Sequence, residues 1–199
     1  KIIAQVLPLL LAMLSMPAAF AQNNNRTVQR VIDKSSHLEI STNDGKYLIK
    51  PYSAQIVETT FIPNGQQFDA QSHAVVLAPG KFKTSLKETA GSIVYATPGL
   101  LVNINKAPFQ ISYSYKGKPL VSEKNGYAKT DAAEILDFNI DTSEALYGGG
   151  ARALGMNRRG NRLPLYNKAH YGYEERSNQM NFAMPLVFSS KMYGIHFDN

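Results

Sequence analysis

The amino-acid sequence predicts an all-β fold, an antiparallel β-sandwich. Short stretches in which apolar and polar residues alternate recur along the chain, roughly ten times, at the spacing typical of β-sandwiches and barrels. Turn-forming sequences such as Asn43-Asp44-Gly45 and Lys116-Gly117 separate several of them. After residue 21, no window of about a dozen residues has the 3.6-residue apolar period of a helix. Together, these observations favour sheets over helices throughout the chain.

The N-terminal stretch, residues 1–21, is predicted to be a secretory signal peptide. Lys1 supplies a positive charge, residues 2–16 form an apolar run, and Ala19-Phe20-Ala21 has the small residues of a cleavage site. A membrane anchor is the alternative, but the run is shorter than the roughly 20 residues of a spanning helix and contains a proline. We therefore predict a protein that is periplasmic, secreted or at the cell surface, with no membrane span after signal removal.

The rest of the chain is assigned to two parts. Residues 22–35 are predicted to be a flexible leader, because residues 22–26 read QNNNR and contain no apolar side chain. Residues 36–199 are predicted to form one β-sandwich domain that is incomplete at its C-terminal end. The chain contains no cysteine, so its stability must come from packing without disulfides.

The predicted strands follow in order along the domain. They cover residues 38–40, 46–50, 52–62, 74–77, 92–96, 100–104, 109–115, 134–140, 182–188 and 193–197. Alternation over 109–115 indicates a half-buried strand, and the β-branched run at 74–77 ends at Pro79-Gly80. Residues 141–146 support at most one helical turn, capped by Asp141 or Thr142.

The net charge of +6 raises the question of nucleic-acid binding. Lysines and arginines are dispersed among acidic residues, and only Arg158, Arg159 and Arg162 cluster, around Gly160. We interpret this distribution as a solvated basic face with a basic turn, and predict no nucleic-acid partner.

No cofactor or metal site is predicted. Gly150 and Gly155 have the spacing of a phosphate-binding loop, but Met156 and Asn157 replace the Lys and Ser/Thr that would reach the phosphates. Residues 148–150 are therefore interpreted as glycines needed for backbone geometry. The four histidines, at positions 37, 73, 170 and 196, lack the spacing of metal ligands.

Catalytic carboxylates are also not assigned. Glycoside hydrolysis needs an acid and a second carboxylate on either side of the scissile bond. The candidate pairs are Asp131 with Glu134, Asp137 with Asp141, and Glu174 with Glu175. None of them lies in an apolar stretch that would raise a carboxyl pKa, and no nucleophile-elbow sequence occurs.

The loop at residues 166–173 reads YNKAHYGY and combines aromatic rings with an amide, an ammonium and an imidazole. Aromatic faces and fixed polar groups together suit the binding of a sugar. A tyrosine-rich loop that folds on its own core would have the same composition, and the residues alone leave both interpretations open.

The order of motifs over roughly residues 35–199 resembles glycoside hydrolase family 31, the α-glucosidase and α-xylosidase family. The matching residues are Glu144, Tyr147-Gly148-Gly149-Gly150, Arg152, Arg158-Arg159-Gly160, Tyr166-Asn167, residues 185–190, Tyr193-Gly194, Phe197-Asp198-Asn199 and, upstream, Pro108-Phe109. The resemblance implies a β-sandwich similar to the galactose mutarotase fold. In that family it precedes a (β/α)8 barrel that holds both catalytic aspartates, and hydrolysis retains the anomeric configuration.

The resemblance also implies a role for the loop after Tyr166-Asn167, which in family members covers the active site on the leaving-group side. The matching substrate-binding candidates are Asn167, Lys168, His170 and Tyr171. Ala169 stands where some relatives have an aspartate, so this chain lacks that carboxylate.

We therefore expect the N-terminal β-sandwich of an exported retaining α-glycosidase that acts on α-linked glucosides or xylosides. Its expected partners are an oligosaccharide or α-glycoside substrate and a catalytic barrel of the same protein, downstream of this chain. The alternative is a non-catalytic carbohydrate-binding β-sandwich.

Overall fold

The computed structural model describes residues 25–177 and 180–198, so the predicted signal peptide lies outside the described residues. This part of the chain contains thirteen strands and no helix. The strands are β1 (Val28–Asp33), β2 (Leu38–Thr42), β3 (Gly45–Pro51), β4 (Val57–Pro63), β5 (Ser85–Glu88), β6 (Ser92–Ala96), β7 (Leu100–Lys106), β8 (Phe109–Tyr115), β9 (Lys118–Lys129), β10 (Glu134–Asn139), β11 (Leu146–Gly148), β12 (Leu186–Ser189) and β13 (Gly194–His196).

All strand pairs are antiparallel, and neighbours in a sheet are neighbours in sequence. Strands β1–β4 form a four-stranded sheet, β5–β10 a six-stranded sheet, and β11–β13 a three-stranded sheet. Within the two large sheets, short connections join successive strands, and such connections can join only antiparallel neighbours. The all-β, antiparallel prediction is confirmed.

One apolar core joins the two large sheets. Alternate residues of β3 are buried, including Tyr47 and Ile49, and β8 contributes Phe109 and Ile111 from the other sheet. The rings of Tyr47 and Phe109 stack across the sheets with centroids 4.9 Å apart. The two-residue period that predicted these strands therefore also places their side chains in the core.

The structure corrects the predicted flexible leader, residues 22–35, over its described part, residues 25–35. Strand β1 pairs with β2, and the Arg26 side chain before it is buried. Its guanidinium forms an ion pair with Asp44 at 2.7 Å and donates to the Tyr47 hydroxyl at 2.7 Å. It also lies 4.3 Å from the centre of the Phe61 ring. These contacts join residues far apart in sequence, so the local polarity of residues 22–26 could not reveal them.

Three strand predictions are corrected as well. The strand predicted at 182–188 begins only at Leu186. Residues 74–77 are not a strand, because the Ser72 hydroxyl accepts hydrogen bonds from the backbone N–H groups of Ala74 and Val75 and turns the chain. The predicted strand at 52–62 begins only at Val57, because the N–H groups of Tyr52 and Ser53 both donate to the Ile56 carbonyl. Strands β1, β5, β9 and β11 were not predicted.

The three strands of the smallest sheet, β11–β13, all come after Asp141 in the sequence. Within the described residues, no helix is both long enough and apolar enough to cross a membrane.

Candidate functional site

The candidate site lies in what we call the C-terminal region, residues 141–177 and 180–198. A connection of residues 149–185 separates β11 from β12, and its described part contains no strand or helix. The predicted binding loop is part of this connection. Long irregular connections on a rigid scaffold are common places for binding residues.

Two glycines let the connection run close to β12 and the residues before it. Gly148 and Gly150 have φ of +104° and +85°. A Cβ at Gly148 would lie 2.3 Å from the Leu186 carbonyl oxygen, and a Cβ at Gly150 would lie 2.5 Å from that of Phe182. The interpretation of this glycine run as backbone geometry is confirmed.

The arginines bind backbone carbonyls of the same region. Arg158 donates to the carbonyls of Gly148, Leu154 and Gly155, while Arg159 donates to that of Glu144. These contacts fix the start of the connection against β11.

Arg152 ties the glycine run to the later part of the connection. Its Nε donates to the Gly149 carbonyl at 3.1 Å and its Nη2 to the Pro164 carbonyl at 2.7 Å. Among the described residues, its buried Nη1 has no hydrogen-bond partner. Burial lowers the pKa of Arg152, with a smaller contribution from the charge of Arg158.

Glu144 holds the β12–β13 turn to the start of β11. The hydroxyls of Ser189 and Tyr193 both donate to its Oε1, and the Asp141 N–H donates to its Oε2 at 3.1 Å. Burial acts to raise the pKa of Glu144, but the hydrogen bonds from Ser189 and Tyr193 outweigh it, so the pKa lies below its usual value. Glu144 is therefore a buried carboxylate whose two oxygens both accept hydrogen bonds, and it has a structural role.

Two asparagine side chains close the base of the predicted binding loop. The Ala183 N–H donates to Asn167 Oδ1 at 2.6 Å, and the His170 N–H donates to Asn181 Oδ1 at 2.7 Å. The loop is thus fastened at Asn167 and at His170 by hydrogen bonds between side chain and backbone. Asn181 could not be identified from the sequence, because its partner lies eleven residues away in the chain.

The four substrate-binding candidates differ in how they are held. Asn167, Lys168 and Tyr171 are exposed, and His170 is half-buried. Tyr171 has 89% of its surface exposed, so its ring is available for contact. Asn167 has a structural contact through Oδ1, and the His170 bond uses only its backbone, which leaves the imidazole out of that bond. The loop therefore presents a tyrosine ring and an imidazole from a fastened base.

The comparison with protein families settles the relationship. Residues 26–199 match the model of the glycosyl hydrolase 31 N-terminal galactose mutarotase-like domain. The chain belongs to this family. The resemblance and the mutarotase-like fold expected from the sequence are thereby confirmed for the N-terminal domain.

Known glycosyl hydrolase 31 proteins resemble the chain over their N-terminal part. Alpha-glucosidase 2 of Bacillus thermoamyloliquefaciens is 29% identical over 158 residues, which cover 76% of this chain and 20% of that protein. A GH31 dextranase of Flavobacterium johnsoniae, complexed with glucose, has a TM-score of 0.81 at 24% identity. The match covers 87% of this chain and 22% of the dextranase.

A GH31 α-xylosidase of Xanthomonas citri has a TM-score of 0.66 at 22% identity, over 84% of this chain and 19% of the xylosidase. The chain therefore spans about a fifth of the length of these relatives. At these identities the solved structures establish the fold, and the catalytic barrel of the family is not covered by the chain.

Two depressions lie beside the glycosyl hydrolase 31 motifs. One, of about 250 Å³, is mostly apolar and is lined by β11, β12 and residues such as Leu163 and Phe197. The other, of about 420 Å³, lies between Arg152 and a segment that contains Tyr173, the last loop residue, with Glu174 and Glu175. Among the described residues, no group of three His, Cys, Asp or Glu side chains could hold a metal ion.

Proposed function

We propose that the chain is the N-terminal β-sandwich of an exported, retaining α-glycosidase that acts on α-linked glucosides or xylosides. The strongest support is the family match over residues 26–199. A second support is the loop, whose base is closed by hydrogen bonds to the side chains of Asn167 and Asn181. The relatives named α-glucosidase and α-xylosidase motivate the choice of substrates. The apolar run of residues 2–16 supports export.

In this proposal the domain supplies one wall of a substrate site, and a downstream barrel supplies the catalytic carboxylates. Tyr171 offers a ring against which the apolar face of a sugar stacks, and the His170 imidazole offers a hydrogen bond to a hydroxyl. The same dextranase of Flavobacterium johnsoniae has been solved with isomaltotriose, an oligosaccharide. An α-linked oligosaccharide is therefore the proposed partner of this loop.

The test uses the complete enzyme that contains this chain. We expect Tyr171→Ala to lower kcat/KM for an α-linked disaccharide by roughly tenfold, because stacking on one ring contributes about 1 kcal/mol or somewhat more. The same variant should change kcat/KM for a glycosyl fluoride by less than about twofold, since that small leaving group does not reach a leaving-group-side loop.

Met192→Ala is the matched control. Met192 is 92% exposed, against 89% for Tyr171, but lies on the β12–β13 turn, outside the loop. Unchanged kinetics for both substrates in the Tyr171 variant would contradict the proposed role of the loop. Tight binding of oligosaccharide by the purified 199-residue chain, with no glycosidase encoded downstream, would favour the carbohydrate-binding module instead.

A further inference from the structure

Glu123 is a buried carboxyl group at the junction of the two large sheets. It lies on β9 with 3% of its surface exposed. We propose that this carboxyl is a pH-sensitive link between the sheets: its neutral form joins β9 and β8 to β4, and its ionisation loosens that junction. The proposal concerns the stability of the fold and is independent of the proposed function.

A chain of hydrogen bonds connects the three strands. The Tyr113 hydroxyl on β8 donates to Glu123 Oε1 at 2.9 Å. The same hydroxyl lies 2.9 Å from Thr59 Oγ1 on β4, in the opposite sheet. When Tyr113 donates its hydroxyl proton to Glu123, the Thr59 hydroxyl can donate to Tyr113. The carboxyl therefore anchors a polar bridge that crosses the core.

The second carboxyl oxygen of Glu123, Oε2, makes the hydrogen-bonded bridge to Tyr113 and Thr59 sensitive to ionisation. Oε2 of Glu123 is buried, and no group in residues 25–177 or 180–198 donates a hydrogen bond to it. A buried anionic oxygen without a donor is costly, and protonation removes the charge. By contrast, Glu144 has donors at both oxygens and is stable as an anion.

The groups facing Glu123 do not favour its charge strongly enough to offset burial. From the neighbouring elements they are Arg26 before β1, Tyr47 on β3, Tyr113 on β8 and the uncharged Phe138 on β10, which is paired with Glu123. Thr59 on β4 reaches Glu123 only through Tyr113. The positive charge of Arg26 is already shared with Asp44 through an ion pair of 2.7 Å.

Burial raises the pKa of Glu123 to about 7, against smaller opposing effects of the Tyr113 hydrogen bond and the Arg26 charge. A raised carboxyl pKa means that the folded state holds the proton more tightly than the unfolded chain. The junction is therefore strongest below pH 4.5, the ordinary pKa of the group, and weakens as the pH rises to about 7.

Hydrogen–deuterium exchange on the intact protein at pH 5.5 and pH 8 tests the proposal. After correction for the intrinsic exchange rate, we expect the protection of β8 and β9 amides to fall on the order of tenfold between these pH values. The Glu123→Gln variant, which keeps the shape of the neutral acid, should show the same protection at both.

Glu134→Gln on β10 is the matched control. This exposed carboxylate accepts a hydrogen bond from Lys129, which lowers its pKa, so its titration lies outside the tested range. The control should respond to pH as the unmodified protein does. Equal protection of β8 and β9 at both pH values, or an undiminished response in Glu123→Gln, would overturn the proposal.

An infrared measurement covers the case in which Glu123→Gln does not fold. The unmodified protein should have the carbonyl stretch of a protonated carboxylic acid at pH 5.5 and lose it by pH 8. Absence of that band at pH 5.5 would also overturn the proposal.

Discussion

The two large sheets and the C-terminal region are held together by different interactions. In the sheets, the side chains that alternate along β2, β3, β6, β7 and β8 share one apolar core. In the C-terminal region, arginine and asparagine side chains bind the backbone, while large apolar side chains such as Tyr166, Tyr171 and Phe182 are more than half exposed. The first arrangement suits a scaffold, and the second suits a surface that contacts another molecule or domain.

Two buried glutamates, one in each region, also differ in the surroundings of their carboxyl groups. Glu123 lies in the core of the sheets with one oxygen lacking a donor among the described residues, and its pKa is raised to about 7. Glu144 lies in the C-terminal region with a pKa lowered by its hydroxyl donors, which outweigh burial. The two regions should therefore respond to pH in opposite directions.

The largest effect should come from a core truncation in the sheets. Ile111→Ala removes a side chain with no exposed surface and should lower the free energy of unfolding by about 2–5 kcal/mol. Leu165→Ala in the C-terminal region removes a side chain that is 52% exposed, and should cost less than about 1 kcal/mol. Denaturant unfolding measures both, and equal losses would contradict the contrast between the regions.

A glycine substitution should have the next largest effect. Gly148→Ala puts a Cβ 2.3 Å from the Leu186 carbonyl oxygen at a φ of +104°, so we expect a loss of about 2–4 kcal/mol from strain and overlap. Gly160→Ala is the control, because its φ is +76° but no described atom beyond its two chain neighbours lies within 4 Å of the added Cβ. It should cost about 1 kcal/mol. Thermal unfolding of the two variants would show whether overlap of the added Cβ with the Leu186 carbonyl oxygen lowers stability beyond the strain of a positive φ.

A smaller effect is expected from Glu144→Gln. Neutralising the carboxylate weakens the hydrogen bonds from Ser189 and Tyr193 and should cost about 1–3 kcal/mol, confined to β11–β13. Because the folded pKa is lowered, this contribution is present above pH 4.5 and is lost as the pH falls below it. Hydrogen exchange of β12 amides at pH 7 and pH 3.5 checks the sign; greater protection at pH 3.5 would contradict it.

The strands that the sequence predicted well are those in which packing follows the local pattern. Residues 109–115 alternate apolar and polar side chains, and β8 has these bounds because alternate side chains enter the core. Residues 74–77 have strand-forming composition, yet Val76 is fully exposed and Ser72 turns the chain there. Hydrogen bonds accepted by one side chain decided the local structure against the propensity of four residues.

The candidate site was predictable only in part. Composition pointed to residues 166–173 as aromatic and polar, and the resemblance gave the loop a role, but neither identified what fastens it. The closing bond from His170 to Asn181 and the burial of Arg26 against Phe61 depend on contacts between distant residues. Periodicity along the chain contains no information about such pairs, so a single sequence cannot supply them.

The central claim is that this domain supports and contacts substrate, while catalysis requires residues beyond it. The most direct measurement is hydrolysis of an aryl α-glucoside by the purified 199-residue chain, with folding verified by circular dichroism. The account predicts no turnover above the uncatalysed rate. Turnover that persists through repurification and falls in a Glu174→Gln or Asp137→Asn variant would place catalysis within this chain and contradict the account.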